Sequence, residues 1–540
     1  MRKSISLYAV LFLLAGFFYG CVSPDDSASE TAMGKIAKAA SAVPVRPGIP
    51  GERPFWNAYA KRFIYAPAFD YKAVENADLY LYKIYSAADS TTYSFKNKVP
   101  YAALSPVWTK VPVGYFELEV TGLSKNGDSI GLAGEGRYYR AAYFNGPYGS
   151  AEMSYDSSGI TALYHILHKS YVSNWLTQKE PDSMYKYYRY PAKVFSSLIS
   201  GAVTYARLTR DTAEASRAMR IAEIVADYLL KISFPKGAAW EYLPPTYYGR
   251  WIAKLNQASW IKLDNLMPIY GTWAGDAYLD MYDYTRDKKY LQAAKRIAET
   301  FLKQQLSDGT WYMYVDPRTG DPTSSVGNSS IPTAMLNYFN RLKDHYGVTG
   351  LDSAIQKTFD WIMRNPVRTY NWHGQFEDVG THEPYHDLTR KEACQFAIYL
   401  LKRYPNDSEY VKTAEELIRF SEDQFVIWEK PRLIDTASHS KIRPSTNWLL
   451  PSAQEQYTYW MPTGPAAMRM MKAYWNAYKV TGEDIYLAKA KSMANSMTNV
   501  QKYHAGEYST YFTKYTVDEW LNCNVDAAKE MIEFGNDLKK

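Results

Sequence analysis

The sequence contains very little cysteine. Only Cys21, Cys394 and Cys523 occur in 540 residues, which is too few for a framework of disulfide bonds. No C-x-x-C pair and no H-E-x-x-H motif is present, so we predict no metal site. The chain also lacks a glycine-rich phosphate loop, a dinucleotide fingerprint and a G-x-S-x-G turn. These absences argue against nucleotide-dependent chemistry, and no cofactor is predicted.

Blocks of one charge and long hydrophobic runs are also scarce. The formal net charge is only +6 and no block of five or more basic residues occurs, so nucleic-acid binding is not predicted. The apolar run from Leu7 to Tyr19 has 13 residues, whereas a membrane-spanning helix needs about 20. No run of 18 apolar residues follows it, and we therefore predict no transmembrane helix.

The first 20 residues are typical of an export signal. Arg2 and Lys3 precede the apolar run, which ends at Gly20-Cys21. This junction resembles a lipobox, which implies that residues 1–20 are removed and that Cys21 is lipidated and anchors the protein in a membrane. The alternative is an ordinary secretory signal in which Cys21 is incidental.

The segment after Cys21 is predicted to be a flexible tether over residues 21–48. Its Ser, Ala, Pro, Asp and Lys residues are too polar to bury a core. Ser23-Pro-Asp-Asp26 is similar to the acidic export signal of Bacteroidetes surface lipoproteins. That resemblance implies an outer-membrane, cell-surface location.

Aromatic residues are unusually abundant, with 50 Tyr and 15 Trp. Tyr and Trp combine an apolar face with a polar tip, which suits surfaces that stay wet. Because the C–H groups of sugar rings pack on such faces, the composition favours carbohydrate as a partner. For any single Tyr, packing in a core is the more common role.

Residues 49–146 have the pattern of short strands. Apolar residues alternate at Phe116, Leu118 and Val120, and Asn126-Gly-Asp128 is a turn signal. We predict a small β-sandwich here. Its segment 73–130 resembles a fibronectin type III-like module.

Residues 150–540 have helical periodicity. Five segments combine an apolar helix, a polar turn and a charged helix, and a sixth pair comes from residues 157–169 with the final helix near 525–538. The five segments start near Ser196, Gly271, Ser329, Arg390 and Gly464. Repeated helical hairpins of this kind stack side by side.

The motif Asp308-Gly-Thr-Trp-Tyr-Met-Tyr-Val-Asp316, with the helix Ser329–Asn340 after it, is similar to a loop and helix of unsaturated-uronyl hydrolases. The later segments also resemble uronate epimerase and polysaccharide lyase domains. All are (α/α)-toroid carbohydrate-active enzymes. The resemblance implies a mainly α fold, an (α/α)5–6 toroid over residues 150–540, with a substrate cleft formed by loops at one end.

The densest group of chemically useful residues precedes the helix that starts at Arg390. It combines a possible sugar platform, Trp372, with the carboxylates of Glu377 and Asp378, and it also holds Asn371, His373 and Gln375. Glycoside hydrolysis needs two carboxyl groups. Neighbours in an extended segment point in opposite directions, so we expect Glu377 or Asp378 to act with a carboxylate from another loop. The alternative is a polar loop without catalytic function.

A second group precedes the helix that starts at Gly464. Glu455 is the natural partner carboxylate, and Tyr457 and Tyr459 share one face if the segment is extended. A polysaccharide lyase would instead need a base such as Tyr or His, and polar groups to neutralise a uronate carboxyl. The residues that can supply this base and these neutralising groups are Tyr459, Tyr457, His373, Asn371 and Gln375. A packed, capped loop is the alternative.

The third candidate is the loop from Asp308 to Asp316. We interpret Trp311 as an aromatic of a sugar subsite and Asp316 as a possible acid, while Asp308-Gly309 is also an ordinary turn signal. Asp276 is a weaker acid candidate, because acidic residues favour helix N-termini anyway.

The sequence therefore predicts a lipid-anchored glycan-degrading enzyme. We favour a glycoside hydrolase that acts on an oligo- or polysaccharide, which can include uronate. Two alternatives stay open, a polysaccharide lyase and a surface glycan-binding protein without catalysis.

Overall fold

The computed structural model describes residues 30–45, 60–182, 185, 188–249, 265–323, 329–372, 390–428, 447–455, 461–515 and 519–540. The predicted signal sequence and Cys21 lie outside these ranges. The described chain is mainly helical with an N-terminal sheet, which confirms the fold class in its coarse form. No helix in these ranges is long and apolar enough to span a bilayer.

Seven strands form the N-terminal part of the molecule. They are β1 (Arg62–Phe63), β2 (Ala68–Asp70), β3 (Leu79–Ser86), β4 (Thr92–Asn97), β5 (Tyr101–Ala103), β6 (Gly114–Leu123) and β7 (Ser129–Arg140). Five of them make one sheet in the order β1-β7-β6-β3-β4, in which only β1 and β7 are parallel.

One face of this sheet packs against a much smaller second layer. Phe116, Leu118 and Val120 of β6 point into the core, as their alternation predicts. The covering layer is the antiparallel pair β2–β5 with the short helix α2 (Ser105–Trp108), whose Trp108 is fully buried. The strand pattern predicts the second sheet of a sandwich in this layer, whereas the structure has a two-stranded sheet with one helical turn there.

Part of the predicted tether is helical. Residues 32–41 form α1 (Ala32–Ser41), which begins where the Thr31 hydroxyl accepts a hydrogen bond from the Gly34 N–H at 2.8 Å. Thr31 also bonds to Asn145, and the Ser41 hydroxyl accepts from Arg140 of β7. The prediction of a flexible segment is therefore wrong for this stretch, because its alanines favour a helix and its two ends are attached to the sheet region.

Fifteen helices are described in all, including α1 and α2. The others are α3 (Tyr155–His168), α4 (Ser170–Gln178), α5 (Pro191–Leu208), α6 (Thr212–Ile232), α7 (Ile269–Thr285), α8 (Lys288–Gln304), α9 (Thr333–Tyr346), α10 (Asp352–Ile362, followed by a π-turn Met363–Val367), α11 (Arg390–Arg403), α12 (Ser408–Phe425), α13 (Gly464–Thr481), α14 (Asp484–Tyr503) and α15 (Leu521–Asp537).

The turns that join the paired helices use the residues that the sequence marks. In the two T-R-D turns, the aspartate caps the second helix: Asp211 accepts from the N–H of Ala213 at 2.8 Å, and Asp287 from that of Lys289 at 2.9 Å. Gly482 ends α13 in the left-handed conformation. Short, well-capped turns keep each pair of helices antiparallel.

The helices pack in a circuit. Helix α5 contacts α7, α7 contacts α9, and the series continues through α11, α13 and α15 back to α5. Each of these inner helices has an outer partner, namely α6, α8, α10, α12, α14 and, for α15, α3. The predicted packing of residues 157–169 against the final helix is therefore confirmed, and the inner helices surround a common axis.

The sheet is attached to the ring at what we call the junction, formed by Arg62, Ile64, Tyr65, Glu422 and Asp423. The N–H groups of Ile64 and Tyr65 donate to the Asp423 carboxylate at 2.6 and 2.7 Å, and Arg62 donates to the Asp423 carbonyl at 3.0 Å. The Tyr65 hydroxyl lies 3.2 Å from Glu422. The junction is thus polar, although both carboxylates are buried.

Candidate functional site

A recess lies at the N-terminal ends of the inner helices, where the loops that enter them meet. It encloses about 80 Å³ and is lined by residues of α5, α7, α11, α13 and α15 and by the loops before α13 and α15. Because the N-termini of these helices converge on it, their N–H groups make this end of the ring favourable for negative charge.

Glu455, one of the predicted catalytic residues, lines the recess. It follows the short strand β9 (Ser452–Ala453), which pairs with β8 (Val426–Ile427). The Gln454 N–H donates to the Phe425 carbonyl at 2.8 Å. Glu455 is therefore held directly after a backbone segment that is fixed to the end of α12.

A lysine in the recess is surrounded by aromatic rings. The Lys193 Nζ lies 4.6 Å from the centre of the Trp520 ring, 4.9 Å from Tyr190 and 5.8 Å from Tyr270. Such contacts stabilise a cation by the negative face of each ring. Lys193 belongs to the first turn of α5 and is buried, so its charge is fixed in place at one wall.

A second cation and a partly exposed tryptophan form another wall. The Lys391 Nζ lies 4.9 Å from the centre of the Trp273 ring, and Tyr270 meets the same ring edge-on at 5.1 Å. Trp273 is only partly buried, so this side chain keeps some accessible surface in the recess. Trp273 is not among the predicted site residues, although its place in the first turns of an inner helix is a signal that indicates it.

The floor of the recess carries Asp526, Cys523 and Arg469. Burial raises the pKa of Asp526 above its ordinary value, although Lys529 and Arg469 act in the opposite direction. Burial, together with the carboxylate of Glu455, also raises the pKa of the Cys523 thiol. Cys523 therefore stays protonated at neutral pH, which excludes it as a thiolate nucleophile.

The loop Asp308–Asp316 does not contribute its tryptophan to a surface. Trp311 is fully buried, donates its Nε1–H to the Phe301 carbonyl at 2.8 Å and packs edge-on against that ring. The Asp316 carboxylate accepts from the N–H groups of Arg318 and Thr319 at 2.7 and 3.2 Å and so holds a turn. In this structure Trp311 is a core residue, contrary to our expectation of a sugar subsite.

The first predicted group is described only at its start. Trp372 is fully buried near Phe396, which places its ring in the core rather than on a sugar-binding surface. Asn371 is partly buried beside it. The remaining predicted residues lie outside the described ranges, namely His373, Gln375, Glu377, Asp378, Tyr457 and Tyr459. Their roles stay predictions.

Asp276 faces the axis of the ring rather than the recess. Its carboxylate is 2.9 Å from Nη1 of Arg341, and Nη2 of the same arginine is 2.7 Å from the Asp280 carboxylate. Within the described ranges, no group of three His, Cys, Asp or Glu side chains is arranged to hold a metal ion. The recess therefore brings together Glu455, Asp526, three cations and a partly exposed indole.

Comparison with known proteins gives structural likenesses only. No family model and no curated protein sequence matches the chain. A family 76 glycoside hydrolase from a bovine Bacteroides thetaiotaomicron strain is similar over 86% of this chain and 95% of its own, at 11% identity and a TM-score of 0.47. The cellobiose 2-epimerase of Spirochaeta thermophila is similar over 71% and 98%, at 13% identity and a TM-score of 0.47.

An unsaturated glucuronyl hydrolase specific for heparin is also similar, over 71% of this chain and 96% of its own, at 9% identity and a TM-score of 0.42. All three are carbohydrate-active enzymes, the class expected from the sequence. At these identities and TM-scores we assign no residue of this chain from them.

Proposed function

We propose that the protein is a glycan-processing enzyme of the glycoside hydrolase type, built on a toroid of six helical hairpins, with its substrate bound in the recess. The observation that carries this proposal is the position of Glu455. A carboxylate predicted from the sequence as catalytic lies in one recess with a second carboxylate, Asp526, and with the partly exposed ring of Trp273. Hydrolysis of a glycosidic bond needs this combination of two carboxyl groups and a surface for the sugar.

The two carboxyl groups suit different steps. Because the pKa of Asp526 is raised, it holds a proton at higher pH than an ordinary aspartate, and it can donate that proton to the glycosidic oxygen. Glu455 then supplies the carboxylate that attacks the anomeric carbon or activates a water molecule. Glu377 and Asp378, which the sequence pattern favours for the acid role, remain the competing candidates for it.

One observation favours a polysaccharide lyase as second candidate. Lys193, Lys391 and Arg469 all line the recess, and a lyase must neutralise the carboxylate of a uronate sugar before a proton beside it is removed. Tyr511 also lines the recess and carries a phenol of the kind that can serve as base. The same cations equally suit a hydrolase whose substrate contains uronate.

A digestion screen separates these functions. The full chain is incubated with a panel of neutral and uronate-containing polysaccharides, and both reducing ends and ultraviolet absorbance are measured. A hydrolase releases reducing ends without absorbance, whereas a lyase produces an absorbing 4,5-unsaturated sugar. Binding of a polysaccharide without any cleavage would contradict both proposals and would indicate a glycan-binding protein.

The roles of the carboxylates are tested by substitution. We expect Glu455→Gln and Asp526→Asn each to lower kcat by about 10²- to 10⁴-fold, while circular dichroism stays unchanged. Glu409→Gln is the matched control, because Glu409 is an exposed residue of α12 and should keep full activity. Full activity in both recess variants would remove the recess from the chemistry.

We further propose that Cys21 carries a lipid that anchors the enzyme at the outer membrane. The support is the sequence alone, namely the positive start, the apolar run and Gly20-Cys21. Metabolic labelling with radioactive palmitate should label the wild type and Cys394→Ala but not Cys21→Ala. Equal labelling of all three would contradict the anchor.

A further inference from the structure

A second cavity, which we call the vestibule, lies along the axis and extends from the N-terminal halves of the inner helices towards their C-terminal ends. Its volume is about 770 Å³, within the roughly 300–1,000 Å³ of ordinary ligand pockets. Trp273, Arg469 and Asp526 line both the vestibule and the recess. Thr204 and Arg403, near the C-terminal ends of α5 and α11, lie at the far side of the vestibule. The two cavities thus share one layer of side chains and extend from it in opposite directions.

The lysine and arginine side chains of the vestibule are all paired with carboxylates. Every Lys and Arg that lines it has a carboxylate oxygen within 3.9 Å. The pairs are Arg341 with Asp276 and Asp280, Arg403 with Asp344, Arg469 with Glu530, Lys402 and Lys472 with Glu533, and Lys529 with Asp280. An ionic ligand would have to displace one of these partners and leave a charge uncompensated. The vestibule therefore favours a neutral ligand.

Neutral hydrogen-bonding groups occupy the wall between these pairs. They are the hydroxyl and amide groups of Ser196, Ser197, Ser200, Thr204, Asn337 and Asn340. Hydroxyls both donate and accept hydrogen bonds, and amides offer one group of each kind. Most donors of this wall already bond within the protein, as the Ser197 hydroxyl does to Asp526 and the Thr204 hydroxyl to the Ser200 carbonyl. The wall therefore offers mainly acceptors, to which a ligand with several hydroxyl groups can donate without any change of charge.

Three polar atoms of residues that line the vestibule lack a hydrogen-bond partner among the described residues, namely Ser196 Oγ, Gln395 Oε1 and Glu530 Oε2. Ser196 is only 1% exposed, and its Oγ has no partner. Glu530 is 7% exposed, and its Oε1 is 3.2 Å from Arg469, but its Oε2 has no partner. Because buried polar atoms are nearly always hydrogen-bonded, these three atoms indicate a ligand with donors. They are closed to solvent in this structure, so a sugar hydroxyl reaches them when neighbouring side chains shift, and it can then donate to Gln395 Oε1, Glu530 Oε2 or Ser196 Oγ.

We propose that the vestibule is a second ligand site, which binds a small neutral sugar of one or two rings separately from the recess. The paired cations select against an ion, the volume fits a sugar, and the three unpartnered oxygens are acceptors for its hydroxyl groups. This site does not depend on catalysis in the recess, since none of its proposed contacts is Glu455.

The test uses D-glucose as probe, because glucose has no glycosidic bond to cleave. Thr204→Trp fills the vestibule, and Thr413→Trp is its matched control. Each threonine hydroxyl donates to the carbonyl four residues earlier at 2.8 Å, but Thr413 is a half-buried residue of α12 that does not line the vestibule. We expect calorimetric titration of the full chain to show glucose binding in the wild type and in Thr413→Trp. Binding to Thr204→Trp should be at least tenfold weaker.

A milder variant covers the case in which the tryptophan prevents folding. Ser196→Ala removes only the unpartnered hydroxyl and should weaken glucose binding by about threefold to tenfold. D-Glucuronate serves as anionic comparison, and its affinity should not differ between the Thr204 and Thr413 variants, since any binding of this anion belongs to the recess.

Three results would overturn the proposal. They are absence of glucose binding to the wild type, equal glucose binding by Thr204→Trp and Thr413→Trp, and a glucuronate affinity that falls in Thr204→Trp alone. Each of them concerns a titration without polysaccharide. Failure of the second site is therefore distinguishable from failure of the recess, which is judged by the activity of Glu455→Gln.

Discussion

Charged groups are buried both at the junction and in the vestibule, but the two regions compensate them differently. At the junction, Lys489 and Glu422 form a pair at 2.7 Å in which the side chains are only 5% and 2% exposed. In the vestibule, Arg341 and its partner Asp276 keep 27% and 38% of their side-chain surface. The difference shows that charge at the junction replaces packing between two parts of the chain, whereas charge along the axis lines a space that stays open to solvent.

The largest expected effect comes from breaking the enclosed pair. In Lys489→Met, the Glu422 carboxylate loses its cation but stays buried, which we expect to lower the free energy of unfolding by about 4 kcal/mol. Urea denaturation measures the change. Lys412→Met is the control, since Lys412 and Glu409 are a fully exposed pair at 3.1 Å, and its effect should stay below about 0.5 kcal/mol.

A double variant sharpens this prediction. Adding Glu422→Gln to Lys489→Met removes the buried charge. The new amide oxygen can still accept from the Trp428 Nε1–H at 3.0 Å, and the amide NH2 can donate to the Tyr65 hydroxyl at 3.2 Å. Part of the lost stability should therefore return. If the double variant were less stable than Lys489→Met, the uncompensated charge would not be the cause.

The second effect is a dependence of stability on pH that arises at the junction. Burial raises the pKa of Asp423 from 3.8 to about 6, although the N–H groups of Tyr65 and Ile64 act against it. Between about pH 4 and pH 6 the folded state then binds more protons than the unfolded state, so stability falls as pH rises through this window. The loss of unfolding free energy across the window should be at most about 3 kcal/mol.

Asp423→Asn tests that dependence. The amide keeps an oxygen that accepts from Ile64 and Tyr65, but it does not titrate. From pH 4 to pH 6 we expect the free energy of unfolding of the wild type to fall relative to that of the variant. Above about pH 7 the difference between the two should be constant. Other groups, including Arg62, Glu422 and Lys489, are present in both proteins and cancel in the difference. Parallel curves over the whole range would contradict the prediction.

The third effect concerns the axis. Arg341→Met removes the cation shared by Asp276 and Asp280, and we expect a loss of about 2 kcal/mol, since both carboxylates keep some access to water. Arg220→Met is the control, because Arg220 and Glu223 are an exposed pair at 3.4 Å. A loss as large as that of Lys489→Met would show that the axis is as closed as the junction.

The same contrast explains how far the sequence predicts this structure. The inward positions of Phe116, Leu118 and Val120 are predicted correctly, because one face of a sheet faces the core and the other does not. The helix starts at Arg390 and Gly464 agree with their apolar periodicity. In these cases a side chain faces either the core or the solvent, and the alternation of apolar and polar residues indicates which.

The axis of the ring adds a third environment, and there the pattern fails. An inner helix has an apolar outer face and an inner face that is partly in contact with water. Apolar residues on either face repeat with the same helical period, so the periodicity does not distinguish a Trp273 in a core from a Trp273 in a cleft. Trp311 is the opposite case, in which a turn motif that resembles a subsite directs its indole to Phe301. The position of Glu455 near the N-terminal ends of the inner helices follows from the helix start after it, while its catalytic role stays a prediction.

The smallest effect should occur at the far side of the vestibule. Glu533 lies 2.6 Å from Lys472 and 3.4 Å from Lys402, and these cations lower its pKa to about 2 although burial acts in the opposite direction. Because 41% of its side chain is exposed, solvent screens the pair, and Glu533→Gln should cost less than about 1 kcal/mol.

Salt separates this last pair from the enclosed one. Raising the ionic strength from about 0.01 M to 1 M shortens the Debye length from about 30 to 3 Å, so the effect of Glu533→Gln on urea denaturation should largely disappear, while that of Lys489→Met should stay. An effect of Glu533→Gln that persisted in salt would mean that the far side of the vestibule excludes water, and a sugar would then have no open path to Ser196 from that side.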